Sequence, residues 1–183
     1  HAFGTRLLAD AGNYSYDNSP WRRYVLSTRA HSTVRVDGQD QNCRADSGEY
    51  RAEQPNTHGF VTTESFDYAR DTHDAGYGRP ADRTVAHRRR VLFVRPDYWL
   101  LFDDLAAGDE APHRADVQFL VDAAPGALLQ TAGGFLTAAS PGRARLAILH
   151  AGPDPADEVQ VVEGQTDPFV LGFIPRRFED LRP

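Results

Sequence analysis

Apolar and polar residues alternate along much of the chain, which is the pattern of β-strands that bury one face. The alternation is clear over residues 33–38 and again over the longer segment 59–72. Residues 84–105 give the clearest unit, in which two apolar runs flank the dipeptide Pro96-Asp97. Because proline and aspartate favour tight turns, this unit predicts two strands joined by a hairpin turn.

The two apolar runs of this hairpin, VLFV and WLLF, are apolar at consecutive positions instead of alternate ones. A strand with such a run should be covered on both faces, as in the interior of stacked sheets. The second strand also carries the neighbouring aspartates Asp103 and Asp104. Since neighbours on a strand point to opposite faces, these carboxylates are not expected to act as a catalytic pair. His87 and Arg89, on the first strand, are interpreted as structural residues.

One segment has helical spacing instead. Ser19 is a good N-cap residue, and Pro20 suits the first helical position. Trp21, Tyr24 and Val25 then fall on one face of a helix of about two turns, near residues 20–27.

Strand-like segments continue through the second half of the chain, at 115–122, 127–140 and 144–152 and again towards residue 183. The chain has 183 residues, of which 40% are hydrophobic and 25% charged, an ordinary composition for one globular domain. The sequence therefore predicts an all-β fold, an antiparallel β-sandwich with one short helix, formed by residues 1–183 as one domain.

Composition excludes several classes of partner and site. The formal net charge of -6 gives no reason to expect nucleic acid, and no apolar run approaches the length of a membrane span. Cys43 is the only cysteine, which excludes an internal disulfide and a cysteine-rich metal site. The chain has no methionine and opens on strand-like sequence, so we expect it to be a carboxy-terminal piece of a larger protein.

Polar aromatic and ionisable residues are concentrated between residues 14 and 38. Tyr14, Tyr16 and Tyr24 are candidate proton-transfer groups, and arginines beside Tyr24 would favour the phenolate of a group whose ordinary pKa is about 10. Asp10 and His31 are possible metal ligands, but a zinc site needs at least three protein ligands. By spacing alone, the structural explanation is favoured for each of these residues.

The motifs of this segment resemble the conserved core of the heparinase II/III-like polysaccharide lyases. The matching residues are Asp10-Ala11-Gly12 with Tyr14 and Tyr16, Arg23-Tyr24, Ala30-His31-Ser32-Thr33 and Val36-Asp37-Gly38. A second match follows in the same order, with HDAGY at 73–77 and HRRRVLFVRPDYWLLFDDL at 87–105. Together the two stretches cover roughly residues 3 to 122, and the chain is similar to the carboxy-terminal β-sandwich of that family.

The resemblance implies a two-part enzyme, with an amino-terminal α/α toroid, a carboxy-terminal β-sandwich and the active site between them. It also implies a zinc ion, for which Asp10 and His31 match two ligand positions. The third ligand of the family would fall upstream of residue 1. Ser32 stands where the family usually has asparagine, a change that bears on the support of His31.

The implied reaction is β-elimination at a uronic acid, in heparin- or heparan-like glycosaminoglycan or in alginate. The family places an asparagine, a histidine and a tyrosine of the toroid at the reacting sugar, and the sandwich adds a tyrosine. Tyr24 is the first candidate for that tyrosine and Tyr16 the second, with Arg23 as a substrate-binding residue. Such a substrate implies a periplasmic or secreted protein.

Two alternatives stay open from the sequence. The first is a non-catalytic carbohydrate-binding or scaffolding sandwich, which would use the tyrosines and arginines only for stacking and hydrogen bonds. The second is a stand-alone metal-dependent barrel of the cupin kind, which is disfavoured because it needs a histidine-rich ligand set at short spacing and this sequence lacks one. The sequence does not specify the polysaccharide, and it does not distinguish endo from exo action.

Overall fold

The computed structural model describes residues 2, 4–42, 59–123, 127–131, 134–137, 145–151 and 158–183. Their helices are α1 (Pro20–Val25) and a 3-10 turn (Thr28–Ala30). The strands are β1 (Val34–Val36), β2 (Gly59–Thr62), β3 (Phe66–His73), β4 (Val85–Val94), β5 (Tyr98–Ala107), β6 (Ala115–Val117), β7 (Leu128–Thr131), β8 (Gly134–Thr137), β9 (Ala147–Leu149), β10 (Ile174–Arg177) and β11 (Asp180–Arg182).

These strands form antiparallel sheets, which confirms the predicted all-β class of an antiparallel sandwich with one short helix. The sheets have the orders β2-β3-β4-β5, β7-β8-β9, β10-β11 and β1-β6, with antiparallel register in the first three. None of the described helices has the length and apolar character of a membrane span.

The chain folds into two compact units. Unit 1 consists of His1–Thr33 with Val117–Pro183, and unit 2 of Val34–Asp116. Unit 1 therefore combines segments that are far apart in sequence, whereas unit 2 is one continuous stretch. The predicted site residues Asp10, Tyr16, Arg23, Tyr24 and His31 all belong to unit 1.

The helix α1 forms where the sequence predicts it and ends slightly earlier, at Val25. The Ser19 hydroxyl accepts a hydrogen bond from the Arg22 N–H at 3.1 Å, so Ser19 is the N-cap. Tyr24 and Val25 lie in the core of unit 1 with Phe173 and Ile174. Trp21 packs edge-on against Phe173, with ring centroids 4.9 Å apart, so the predicted apolar face of the helix is the face that holds it to the unit.

The hairpin β4–β5 in unit 2 confirms the predicted turn at Pro96-Asp97. Val94 is paired with Tyr98, and the Asp97 N–H donates to the Val94 carbonyl at 2.7 Å. The remaining strands of this sheet are added in sequence order, since β3 pairs with both β2 and β4.

The expectation that both faces of this hairpin are covered is wrong for β5. The side chains Tyr98–Phe102 are between 39% and 59% exposed, whereas residues 91–94 of β4 are partly buried. In the described structure β5 is the last strand of its sheet, and the exposure of these side chains shows that the described residues cover the faces of β5 only in part. Part of its apolar surface is covered within the hairpin, where Trp99 stacks on Phe93 at a centroid distance of 4.3 Å.

The neighbouring aspartates of β5 do point to opposite faces, as expected. Asp103 accepts from His87 Nε2 at 2.7 Å and from Arg89 Nε at 2.7 Å, while Asp104 pairs with Arg90 at 3.0 Å. His87 is buried. Burial raises the pKa of Asp103, but the hydrogen bonds from His87 and Arg89 outweigh it, so this pKa lies below its usual value. His87 and Arg89 are thus cross-strand partners of a partly buried carboxylate, in line with their structural interpretation.

Candidate functional site

The segment between Asp10 and His31 folds so that its two predicted metal ligands meet. Asp10 Oδ2 lies 2.7 Å from His31 Nδ1, although the residues are 21 positions apart. Asp10 is exposed and His31 is half-buried. The intervening loop, α1 and 3-10 turn bring the two side chains together at the surface of unit 1.

Each of the two side chains is also held by a hydrogen bond to the backbone. The Nε2 atom of His31 lies 3.1 Å from the Val25 carbonyl and donates to it, and Asp10 Oδ1 accepts from the Gly12 N–H at 2.8 Å. Gly12 has a φ of +56°, a backbone conformation that glycine adopts without strain. Burial raises the pKa of Asp10, but hydrogen bonds from His31 and Gly12 outweigh it and leave this pKa below its ordinary value.

This geometry fits two ligands of a zinc site. A histidine ligand commonly donates its second ring N–H to a carbonyl, as Nε2 of His31 does. Its Nδ1, which bonds to Asp10 in this structure, would be the atom that faces the metal. Two ligand atoms of a tetrahedral zinc lie about 3.3 Å apart, from bonds of about 2.0–2.1 Å, so a small widening of the observed pair would admit the ion. No group of three or more histidine, cysteine or acidic side chains suited to a metal occurs among the described residues.

Tyr24, the first candidate for a catalytic tyrosine, faces the core of unit 1. It is 2% exposed, and its hydroxyl donates to the Phe173 carbonyl at 2.9 Å. Burial raises the pKa of Tyr24, against smaller opposing effects from the backbone of Phe173 and Gly172 and from Arg29. In this structure the phenol is therefore neutral, hydrogen-bonded and removed from solvent.

Tyr16, the second candidate, faces solvent and is 77% exposed. Asn13 Nδ2 donates to its hydroxyl at 2.9 Å, and the guanidinium carbon of Arg22 lies 5.4 Å from its ring centroid. Arg22 Nη1 in turn donates to the backbone and side-chain oxygens of Asn13, at 2.7 and 2.6 Å. Asn13 therefore holds Tyr16 and Arg22 together, so this tyrosine offers both an exposed hydroxyl and a nearby cation.

The remaining predicted residues also lie on this segment. Arg23 lies on α1 and is exposed, and its Nη1 donates to the carbonyl of Asn18, on the loop that carries Tyr16, at 2.6 Å. The Ser32 hydroxyl, beside His31, accepts from the Leu120 N–H at 3.0 Å. Ser32 thus ties the His31 segment to the start of the second part of unit 1.

Sequence reasoning missed one residue beside Tyr16. Phe178, in the turn between β10 and β11, has its ring centroid 6.1 Å from that of Tyr16, and it is 58% exposed. A phenylalanine within the charged run RRFED was the available signal. The contact with Tyr16 was not predictable, because it joins segments at opposite ends of the sequence.

Comparison with known proteins gives one match, to a family model. The family model described as "Heparinase II/III-like, C-terminal" matches residues 2–168, which is most of the chain. No curated protein matches, and no solved structure does. The match includes Asp10, Tyr16, Arg23, Tyr24 and His31, whereas Phe178 lies beyond its end.

Proposed function

The chain belongs to the heparinase II/III-like family by its C-terminal domain, and from this premise we propose that it is the β-sandwich part of a polysaccharide lyase. The substrate would be a polysaccharide that contains uronic acid, of the heparin, heparan or alginate kind. The observation that supports this proposal is the segment of unit 1 from Asp10 to His31, which combines the Asp10–His31 pair with the exposed side chains of Tyr16 and Arg23.

The reaction removes the proton from the carbon α to the uronate carboxylate. Its electron pair forms a carbon–carbon double bond as the bond from the next carbon to the glycosidic oxygen breaks, and that oxygen departs with a proton from an acid. Negative charge builds on the carboxylate, so cations near it lower the barrier. Within this chain, Arg23 would bind a carboxylate of the substrate, and Tyr16 would offer its exposed hydroxyl for proton transfer or hydrogen bonding.

The other reacting groups would come from an α/α-toroid domain of the same protein, with the substrate in the cleft between them. Asp10 and His31 would hold zinc together with a third ligand upstream of residue 1. Bound there, zinc would supply a fixed positive centre that ties the two ends of the loop carrying Tyr16. A periplasmic or secreted location belongs to the same proposal, since acidic polysaccharides of this kind occur outside the cytoplasm.

Replacement of either proposed ligand should release zinc. We expect the complete gene product to retain about one zinc per chain after dialysis, and Asp10→Ala or His31→Ala to weaken zinc retention by at least about tenfold. His113→Gln is a matched control, because His113 Nδ1 also lies 2.7 Å from a carboxylate, that of Asp37. Elemental analysis checks all four proteins.

Two results would contradict the zinc assignment. One is full zinc retention by both alanine variants, which would remove Asp10 and His31 from the site. The other is one tightly bound zinc on a protein made of residues 1–183 alone, which would show that no upstream ligand is required.

The lyase proposal itself is tested by incubating the complete gene product with heparan-type polysaccharide, with alginate and with carboxyl-reduced versions of both. We expect one of the acidic polymers to yield unsaturated product, which is detected by its ultraviolet absorbance. Neither carboxyl-reduced polymer should yield it. Absence of product from every acidic polymer would reject the lyase.

A non-catalytic carbohydrate-binding sandwich is the second candidate. The burial of Tyr24 favours it, because the first predicted catalytic tyrosine has a structural hydrogen bond in the core. This candidate predicts binding of the acidic polymer without any unsaturated product, so the same incubation, followed by a binding measurement, separates it from the lyase.

A further inference from the structure

Two large aromatic side chains lie exposed and side by side on unit 1. The rings of Tyr16 and Phe178 are tilted by 41° with centroids 6.1 Å apart. They are 77% and 58% exposed. Single exposed apolar side chains are common on protein surfaces, but adjacent aromatic rings near charged groups mark binding sites more often.

The backbone around Phe178 is held in place. The Glu179 N–H donates to the Tyr14 carbonyl at 2.9 Å, and Glu179 has a φ of +57°, a conformation that non-glycine residues rarely adopt. The hairpin is closed by the pairing of Ile174 with Arg182, and Arg182 donates to the Ala123 carbonyl at 3.0 Å. Phe178 is therefore presented by an anchored turn, and not by a free chain end.

A cation completes the surface. The Arg22 guanidinium lies over the Tyr16 ring, which is a favourable arrangement for a cation and an aromatic face. Asp180 pairs with Arg177 at 3.2 Å, whereas Asp17, which accepts from the Ser19 N–H at 3.0 Å, also interacts electrostatically with Arg22. Arg22 Nη1 is bonded to Asn13, but a guanidinium carries five N–H donors in a planar fork that is well shaped to bind the carboxylate of a ligand resting on the rings.

We propose that Tyr16 and Phe178 form an aromatic platform that stacks a sugar ring of the acidic polysaccharide, with Arg22 binding its carboxylate. One face of a pyranose ring consists largely of C–H bonds, which pack on aromatic rings, while its carboxylate projects from the edge. The inference rests on the proposed function for the class of ligand. It adds Phe178, a residue outside the family match, as a determinant of sugar binding.

The test is calorimetric binding of an oligosaccharide of uronic acids to the complete gene product, with the carboxyl-reduced oligosaccharide in parallel. Phe178→Ala should weaken binding of the acidic form by roughly tenfold, as for a buried aromatic contact at an interface. Phe178→Tyr, which keeps the ring, should bind within about twofold of the unchanged protein. Phe60→Ala is the matched control, because Phe60 is also highly exposed, at 69%, but lies on β2 of unit 2.

Each outcome decides between the hypotheses. Weaker binding by Phe178→Ala, with Phe60→Ala and Phe178→Tyr unchanged and all circular dichroism spectra alike, supports the platform. Unchanged binding by Phe178→Ala overturns the platform and leaves the lyase proposal intact. If the unchanged protein binds the acidic oligosaccharide without cleaving it, and Phe178→Ala no longer binds it, the platform is supported and the lyase is rejected. No binding and no cleavage of any acidic sugar by the unchanged protein overturns both.

Discussion

Replacement of Tyr16 by phenylalanine should lower turnover of the uronic-acid polymer by about 10²–10⁴-fold, the usual contribution of a group that transfers a proton or bonds the transition state. The substitution removes only the hydroxyl, which faces solvent and accepts from Asn13. The ring beside Phe178 is kept, so substrate binding should change little. The measurement is the rate at which unsaturated product appears in the complete gene product, over a range of substrate concentrations.

Tyr24→Phe is the paired experiment. The sequence predicts a large loss of turnover, because Tyr24 was the first candidate for the catalytic tyrosine, whereas the structure favours a small effect. Its hydroxyl is buried against the Phe173 carbonyl, so we expect turnover within a few-fold of the unchanged protein. Loss of the hydroxyl leaves a buried carbonyl without this donor, at a cost of about 1–3 kcal/mol in the free energy of unfolding. A folded Tyr24→Phe protein without activity, beside an active Tyr16→Phe protein, would restore the order predicted from the sequence.

Asp103→Asn should have the largest effect on stability, a loss of about 3 kcal/mol in the free energy of unfolding. The carboxylate accepts from both His87 and Arg89 inside the β4–β5 hairpin. An amide of the same shape cannot compensate the charge of Arg89, which is 19% exposed, or accept equally well from both donors. Urea unfolding, followed by circular dichroism and tryptophan fluorescence, measures the change.

Asp104→Asn is the control for Asp103→Asn, one residue away on the same strand. Asp104 is half exposed and pairs with Arg90, so its substitution should cost less than about 1 kcal/mol. The folded-state pKa of Asp103 lies below its ordinary value, so its stabilisation is present above pH of about 4 and is lost as the pH falls through the lowered pKa. Asp103→Asn should remove that part of the acid dependence, and equal effects of the two substitutions would contradict the buried network.

Local signals in the sequence predicted the elements that depend on local interactions. Ser19 and Pro20 start α1 because an N-cap and a fixed φ act within one turn of the helix. Pro96-Asp97 closes the β4–β5 hairpin for a similar reason. The exposure of β5 was not predictable in this way, since it depends on what packs against the two faces of its sheet.

Two signals conflicted at Tyr24, and the helical period proved the better guide to its position. Trp21, Tyr24 and Val25 share one helical face, and that face is apolar, so packing turns the tyrosine inwards. Its neighbouring arginines and the motif resemblance favoured the cleft instead. The place of Asp10 beside His31 followed only from the resemblance, and that of Phe178 beside Tyr16 required the three-dimensional fold.

Unit 1 is formed by two segments that are far apart in sequence, so it cannot fold completely until the second segment has been synthesised. Tyr24 and its partner Phe173 are 149 positions apart. At about 5–20 residues per second, a ribosome needs roughly 7–30 s to add that length. In the described part of the chain, strands β2–β5 pair with their neighbours in sequence. Their sheet can therefore form before the residues that cover α1 have been synthesised. We therefore expect the segment with Asp10, Tyr16 and His31 to reach its final form late in synthesis, after the β2–β5 sheet.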